Sequence, residues 1–401
     1  MEQSSTSEAE IIQFRLSIQE RLRAHVLEAI EAVLEEELTA ALGSRAYERT
    51  PGRRGYRNGV DRREITTAVG TRELRVPRGR VVVADGTTQE FRSELLPRYA
   101  RRTPEVDEAI LGCYLAGANS RRIRKALAPL LGEEHLSKSA VSRVVGRLKE
   151  LFACWASRDL SQESFPVVYL DGFHLKVRLA RRVISVPVLA ALGVNEQGKK
   201  VLLALRLAVS ESAGLWSEVL TDLQRRGLAA PRLLVVDGHK GLGKALATWS
   251  QVAVQRCTQH KLRNLLEHCP HHAHGELRRD YEAIVFAEDG LTARQAYAAF
   301  VDKWQRLCPE VARSLEEAGE QLLTFYAFPQ AMWKSLRTTN VLENLNREFR
   351  RRTKTQGSFA TEGAALTLLW GLVAFGQIRM RRITGHRELK RLMETEWTQA
   401  A

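Results

Sequence analysis

What most constrains the fold of this chain is a series of apolar runs between Pro166 and Arg256. Val167–Leu170, Val183–Val194 and Lys200–Val209 are aliphatic or β-branched and of strand length. Leu215–Arg226 then has helical periodicity, Arg232–Val236 reads as a strand, Leu242–Trp249 as a helix and Val252–Gln255 as a strand. Three consecutive strands followed by alternating helix and strand predict a mixed α/β core. Two of the runs end alike. Val167-Val168-Tyr169-Leu170 is followed by Asp171-Gly172, and Leu233-Leu234-Val235-Val236 by Asp237-Gly238. A buried strand that ends in Asp-Gly delivers a carboxylate to the sheet's edge and leaves room beside it for an ion or a phosphate. Asp-Gly is also common turn chemistry, so each instance alone has an ordinary reading.

The flanks are helix-patterned. Ile11, Phe14, Ile18, Leu22, Val26, Ile30, Val33, Leu34 and Leu38 recur near a 3.6-residue period over 8–43, and Gly43 can end that helix. A Gly/Arg-rich turn region, Pro51–Gly59, precedes strand-like runs at Arg63–Val69 and Glu73–Val76, with Asp85-Gly86 as a hairpin signal. From Thr103 to Phe152 three helices follow in short succession, the second at Ser120–Leu131 and the third at Ala140–Leu151 after Ser137-Lys138-Ser139. Hydroxyl caps and cationic faces make this a helix-turn-helix pattern, though plain helical bundles share it. Residues 259–335 are almost wholly helical in pattern; Asn340–Arg352, a break at Gly357 and an apolar Ala364–Ile378 helix complete the chain.

Charge narrows the partners. The 401 residues carry a formal charge of +14, unevenly spread. Arg49–Arg102 holds 14 Arg and no Lys against six acids, and Asn344–Arg391 holds 11 Lys/Arg against three, so each window nets +8. Two basic blocks point to a polyanion, with nucleic acid leading; a solvated basic surface is the alternative. No apolar run reaches the ~18 residues that a membrane helix needs, so no membrane partner is expected. The first ten residues are polar, without the look of a signal peptide, and five cysteines lack regular pairing intervals. Together these predict a cytoplasmic protein.

A third carboxylate joins the two aspartates. In Thr338–Arg350, Thr339 or Asn340 can cap a helix whose first turn holds Glu343, with Asn346 and Arg347 three and four residues on along the same face. A first-turn Glu is often only a dipole partner. With Asp171 and Asp237, however, it completes a set of three carboxylates near cationic residues, which suits phosphoryl transfer by two hard ions, Mg²⁺ or Mn²⁺, ~3.5–4 Å apart. Carboxylates converging without a cation would repel one another. Cys257 and His260, with His268, Cys269, His271, His272 and His274 nearby, leave open zinc binding, a DNA contact or local packing.

The order of motifs resembles the IS256-type bacterial transposases, related to the eukaryotic Mutator elements. The resemblance is carried by Tyr169-Leu170-Asp171-Gly172, Val236-Asp237-Gly238-His239-Lys240-Gly241, Arg256-Cys257-Thr258-Gln259-His260-Lys261, Arg337–Asn346 and Arg351–Phe359. It reaches back through Arg57-Asn58-Gly59 and Val76-Pro77-Arg78. It implies an α/β fold: a ribonuclease-H-like mixed-sheet catalytic core with an all-helical insertion, preceded by a mainly helical DNA-binding region with a small β-element. The implied triad is Asp171, Asp237 and Glu343, spaced 66 and 106 residues apart, and Cys257 and His260 map onto the family's Cys-x-x-His signature.

The chain then divides into an N-terminal helical segment (1–48), an Arg-rich β-element (49–102), a helix-turn-helix-like domain (103–160), the first part of the core (161–258), the helical insertion (259–335), and the catalytic helix with its basic tail (336–401). Arg53, Arg54, Arg57, Arg78, Arg121, Arg122, Arg143 and Arg147 are expected on terminal inverted repeats of double-stranded DNA. Arg347, Arg350, Arg351, Arg352 and Lys354 are expected on phosphates near the metals. Pairing two element ends and a target calls for a homodimer or larger assembly. A catalytically silent DNA-binding regulator and a nuclease that cuts without joining are the alternatives.

Overall fold

The computed structural model describes residues 8–83, 86–131, 136–179, 182–208, 212–238, 240–354, 359 and 361–394. It forms two compact units, 1–147 and 148–401. Asp85, His239 and Gly357, which the sequence singles out, lie outside the described residues.

In the first unit, α1 (Glu8–Leu42) buries Leu34, Leu38 and Leu42. It ends where Gly43 takes a φ of +67°, a conformation that costs little only without a Cβ. The hairpin β1 (Gly55–Thr67) and β2 (Gly70–Val82) turns at Ala68-Val69 and packs Ile65, Leu74 and Val76 against Leu34; short β3 (Thr88–Glu90) adds to β2. The Gly55–Gly59 half of the supposed turn region is therefore strand. Its glycines accommodate a register shift between Arg57 and Val60 instead of a reversal of the chain. Helices α2 (Pro104–Leu115), α3 (Ser120–Leu131) and α4 (Lys138–Ala156) follow, the first two and the start of α4 closing over Val106, Ile110, Ile123, Leu127 and Val141. Asn119 Oδ1 accepts from the Arg121 and Arg122 amides at the start of α3, and Ser137 Oγ from the Ala140 amide of α4.

The second unit is built on a mixed sheet ordered β6-β5-β4-β7-β8. Strands β4 (Val167–Leu179), β5 (Arg182–Val194) and β6 (Lys200–Leu207) form an antiparallel meander. After α5 (Ala213–Arg225), strand β7 (Leu233–Val236) runs parallel to β4; after α6 (Lys240–Ala245) and a 3₁₀ turn, β8 (Ala253–Arg256) runs parallel to β7. All four residues of β7 are buried, which explains its unbroken aliphatic sequence. Trp216, Val219, Leu220 and Leu223 of α5 and Leu242 and Ala245 of α6 pack with Val168, Leu170, Leu234 and Val236; each such aliphatic side chain contributes ~1.5–3 kcal/mol by its burial.

Between β8 and the last helices lies a separate helical core: α7 (Thr258–Glu267), α8 (His274–Val285), α9 (Gly290–Leu307) and α10 (Pro309–Ala318). Their apolar faces meet around Leu265, Tyr281, Phe300, Trp304 and Leu315. Then α11 (Gln330–Leu336) leads to α12 (Asn340–Thr353), which packs on β4 with the Phe173 and Phe349 rings 5.7 Å apart. The apolar α13 (Glu362–Ala374) packs on β6, and α14 (Glu388–Glu394) follows. No helix among the described residues is long and apolar enough to cross a membrane.

Candidate active site

Asp171 does not end its strand: β4 continues through Gly172 to Leu179, kept in register by β5. What ends there is the pairing with β7. The register runs from Val167↔Leu233 to Leu170↔Val236, so the same 66-residue offset sets Asp237 beside Asp171, one step beyond the last paired residues. Neighbouring strands lie ~4.8 Å apart, which makes the two aspartates adjacent at the C-terminal edge of the parallel strands. Since Val236 pairs with Arg256, the row continues to Cys257, whose amide donates to Val236 O at 2.7 Å.

Glu343 reaches this row from the first turn of α12. Leu342, Leu345 and Phe349 are the buried stripe of that helix, and they fix its rotation. Thr339 occupies the N-cap position without a side-chain cap bond. Its amide donates to Cys257 Sγ and its hydroxyl lies 3.4 Å from His260 Nδ1, so the expected cap residue instead ties α12 to the Cys257–His260 segment. His260 Nε2 and Arg263 Nη1 each lie 3.4 Å from Glu343 Oε1.

The electrostatics follow from this crowding. Burial, then the Asp237 carboxylate, and further Glu343, push the Asp171 carboxyl up to about 7, with His260 opposing. His260 is held above the ordinary imidazole range, first by its hydrogen bond with Cys257 and, against the cost of burial, by Cys257 charge, Asp171 and Asp237. Burial pushes the Cys257 thiol up, but its hydrogen bonds with His260 and Thr339 bring it net below its ordinary value. Cys257 is buried and bonded by the Thr339 amide, so of the roles left open for it local packing has direct contacts behind it.

Asn346, which sequence reasoning left out of the site, donates Nδ2–H to Asp171 Oδ2 at 2.9 Å. It is buried, and its Oδ1 has no partner among the described residues. A polar residue inside the Leu342/Leu345/Phe349 stripe was the available signal.

Among the described residues no three His, Cys, Asp or Glu side chains close into a metal-holding cluster. The donors nonetheless suit a hard divalent cation chemically. Asp171, Asp237 and Glu343 offer only oxygen, Asn346 Oδ1 adds one unpartnered among the described residues, and the burial and like charge that lift Asp171 are what a cation would relieve.

The sequence pattern of the family described as Transposase, Mutator family, matches residues 1–376. The chain belongs to the Mutator family of transposases. The transposase for insertion sequence element ISRM5 of Rhizobium meliloti is 34% identical over 92% of this chain and 91% of its own length. The transposase for IS256 in transposon Tn4001 of Staphylococcus aureus is 29% identical over 88% and 89%. Among solved structures, the Drosophila P element transposase strand transfer complex covers 72% of this chain and 84% of its own, at 12% identity and a TM-score of 0.28.

The transposase's basic residues are not equivalent. Arg121, Arg122, Arg143 and Arg147 are exposed on α3 and α4, and Arg347, Arg350, Arg351 and Lys354 on α12 or just beyond it. Arg351 pairs with Glu348 at 2.6 Å, and Arg352 donates to Gln377 O. Arg53 and Arg54 are exposed but donate to Gly55 O and Ala40 O, and Arg78 lies 3.8 Å from Glu90. Arg57 is committed internally: it bonds Glu35 at 2.5 Å and Thr39 at 2.8 Å, fastening the hairpin to α1.

Proposed function

We propose that this transposase binds the terminal inverted repeats of an insertion sequence, cleaves phosphodiesters at the element ends and joins the freed 3′-OH to target DNA. The carrying observation is the register that sets Asp171 beside Asp237, with Glu343 drawn into electrostatic contact by α12. The strand order, three antiparallel strands followed by two parallel ones, supports reading the sheet as a ribonuclease-H-like core.

Asp171, Asp237 and Glu343 would hold Mg²⁺ or Mn²⁺, two ions in all. Bound there, such ions supply charge neutralisation at the scissile phosphate and a more acidic water. The chain's own residues do the positioning. Asn346 pins one oxygen of Asp171 and leaves the other for the reacting side, and His260 and Arg263 hold the Glu343 carboxylate at the mouth of α12. The exposed cations from Arg347 to Lys354 lie next in the chain, where DNA phosphates would be held. Water's oxygen forms the first new bond to phosphorus as the 3′-oxygen leaves. That 3′-oxygen then attacks a target phosphodiester, whose own 3′-oxygen departs. No covalent protein intermediate is needed, and positioning carries much of the rate. Double-stranded DNA is the partner, and a dimer or larger assembly brings two ends together.

Labelled inverted-repeat ends, a target plasmid and Mg²⁺ test this. Cutting and joining are expected from the wild type. Asp171→Asn, Asp237→Asn and Glu343→Gln should each bind ends normally and cut nothing. Binding alone by the wild type would mark a silent regulator, cutting without joining a nuclease, and retained cleavage in any variant would remove that residue from the triad.

A further inference from the structure

The segment Arg256–Lys261 does more than supply Cys257 and His260. Arg256 ends β8 opposite Val236, and its side chain folds back over the turn that follows Asp237. Its Nη2 donates to Gly238 O at 3.1 Å. A Cβ on Gly238 would lie 2.2 Å from Arg256 Nε and 2.5 Å from Cζ, so the guanidinium fills the place of a side chain there. Gly238 also has a φ of +87°. Glycine is required at this turn twice over, by backbone conformation and by the cation lying on it.

That guanidinium is held from the other side. Its Nη1 and Nη2 donate to the two oxygens of Glu317 on α10, each at 3.2 Å, the paired geometry that orients an arginine most firmly. The buried Lys261 ammonium donates to the same carboxylate at 2.9 Å and to Ser314 O at 2.8 Å. Glu317 thus connects the helical core to the turn carrying Asp237, through one arginine.

We infer that Glu317 and Arg256 are positioning residues for the Asp237 carboxylate, and that through them the helical core acts on the chemistry without touching DNA. The inference rests on Asp237 belonging to the reacting set. Without Glu317 the guanidinium keeps one hydrogen bond to Gly238 and is free to rotate away, and the turn loosens while the sheet stays intact.

Glu317 is half exposed, and Glu317→Gln, which keeps an oxygen for the buried Lys261 ammonium, and Glu317→Ala combined with Lys261→Met, which leaves no buried ammonium without its partner, should both leave the chain folded. In both, kcat for cleavage of labelled ends should fall ~10–100-fold, as expected when a charge-assisted hydrogen bond that holds the Asp237 turn is lost and the carboxylate is less well placed for the transition state, with KM for the end fragment within about twofold. Amide exchange in peptides covering 236–246 should accelerate about tenfold or more, while peptides from β4 and β5 exchange as in the wild type. Unchanged exchange at the turn overturns the inference, as does a loss of cleavage that only tracks a sheet-wide rise in exchange. Cleavage retained by Asp237→Asn would instead overturn the catalytic reading of Asp237, a result independent of the exchange at the turn.

Discussion

Replacing the most crowded carboxylate should make the protein inactive and more stable. Asp171→Asn keeps the shape of a side chain only 4% exposed and removes its charge. Burial first, then Asp237, push this carboxyl from 3.8 to about 7, with Glu343 adding and His260 opposing. Below about pH 4 the group is protonated in both the folded and the unfolded chain and contributes nothing. Between about pH 4 and 7 the unfolded chain ionises while the folded one does not, so the folded state loses ~1.4 kcal/mol per pH unit. Above about pH 7 the cost is complete, roughly three units or ~4 kcal/mol. The substitution lifts that cost but weakens the bond from Asn346, which then meets a neutral acceptor, returning ~1 kcal/mol. The net gain of ~3 kcal/mol corresponds to a rise in Tm of ~6–12 °C for a unit of this size. Scanning calorimetry in EDTA should show that rise at about pH 8 and its disappearance at about pH 4. Mg²⁺ should stabilise the wild type and leave the variant nearly unmoved. A variant no more stable than wild type at the higher pH, or one equally stabilised at both, would refute the argument that burial and like charge make the ionised Asp171 costly.

Other outcomes follow from neighbouring contacts. Asn346→Ala frees the Asp171 carboxylate from a buried hydrogen bond; kcat should drop ~10–150-fold, the equivalent of a bond to a charged group, with end binding retained in a gel-shift titration. His260→Ala leaves Glu343 held by Arg263 alone; strand transfer assays should show a large loss, and unchanged transfer would remove His260 from the site. Binding to non-specific duplex should weaken steeply with salt, with a log–log slope of about −0.9 per phosphate neutralised, and a flat response would contradict a role for the basic blocks. Arg57→Ala should lower Tm by several degrees through loss of the Glu35 and Thr39 contacts, whereas Arg121→Ala should leave Tm unchanged.

Local pattern made much of the second unit legible. Aliphatic runs at Val183–Val194 and Leu233–Val236 announce strands because burial on both faces tolerates little else, and the stripe of Leu342, Leu345 and Phe349 announces α12 because helical period and burial coincide. The Arg-rich hairpin was less legible. Gly55 and Gly59 read as a turn, yet there they serve a strand with a register shift, a choice made by pairing with β2.

The sequence by itself therefore determined the mixed α/β class, the three carboxylates as candidates and the family. All of these rest on short segments whose residue types constrain their own conformation. Only the tertiary structure decided that Asp171 lies mid-strand, beside Asp237 and in one row with Cys257. It alone decided that Thr339 serves Cys257 and His260, that Asn346 holds Asp171, and that Glu317 reaches the Asp237 turn through Arg256. Those contacts join residues 18 to 175 positions apart. Their geometry is set by strand register and helix rotation, which come from the burial of whole faces and are not encoded in any local run of sequence.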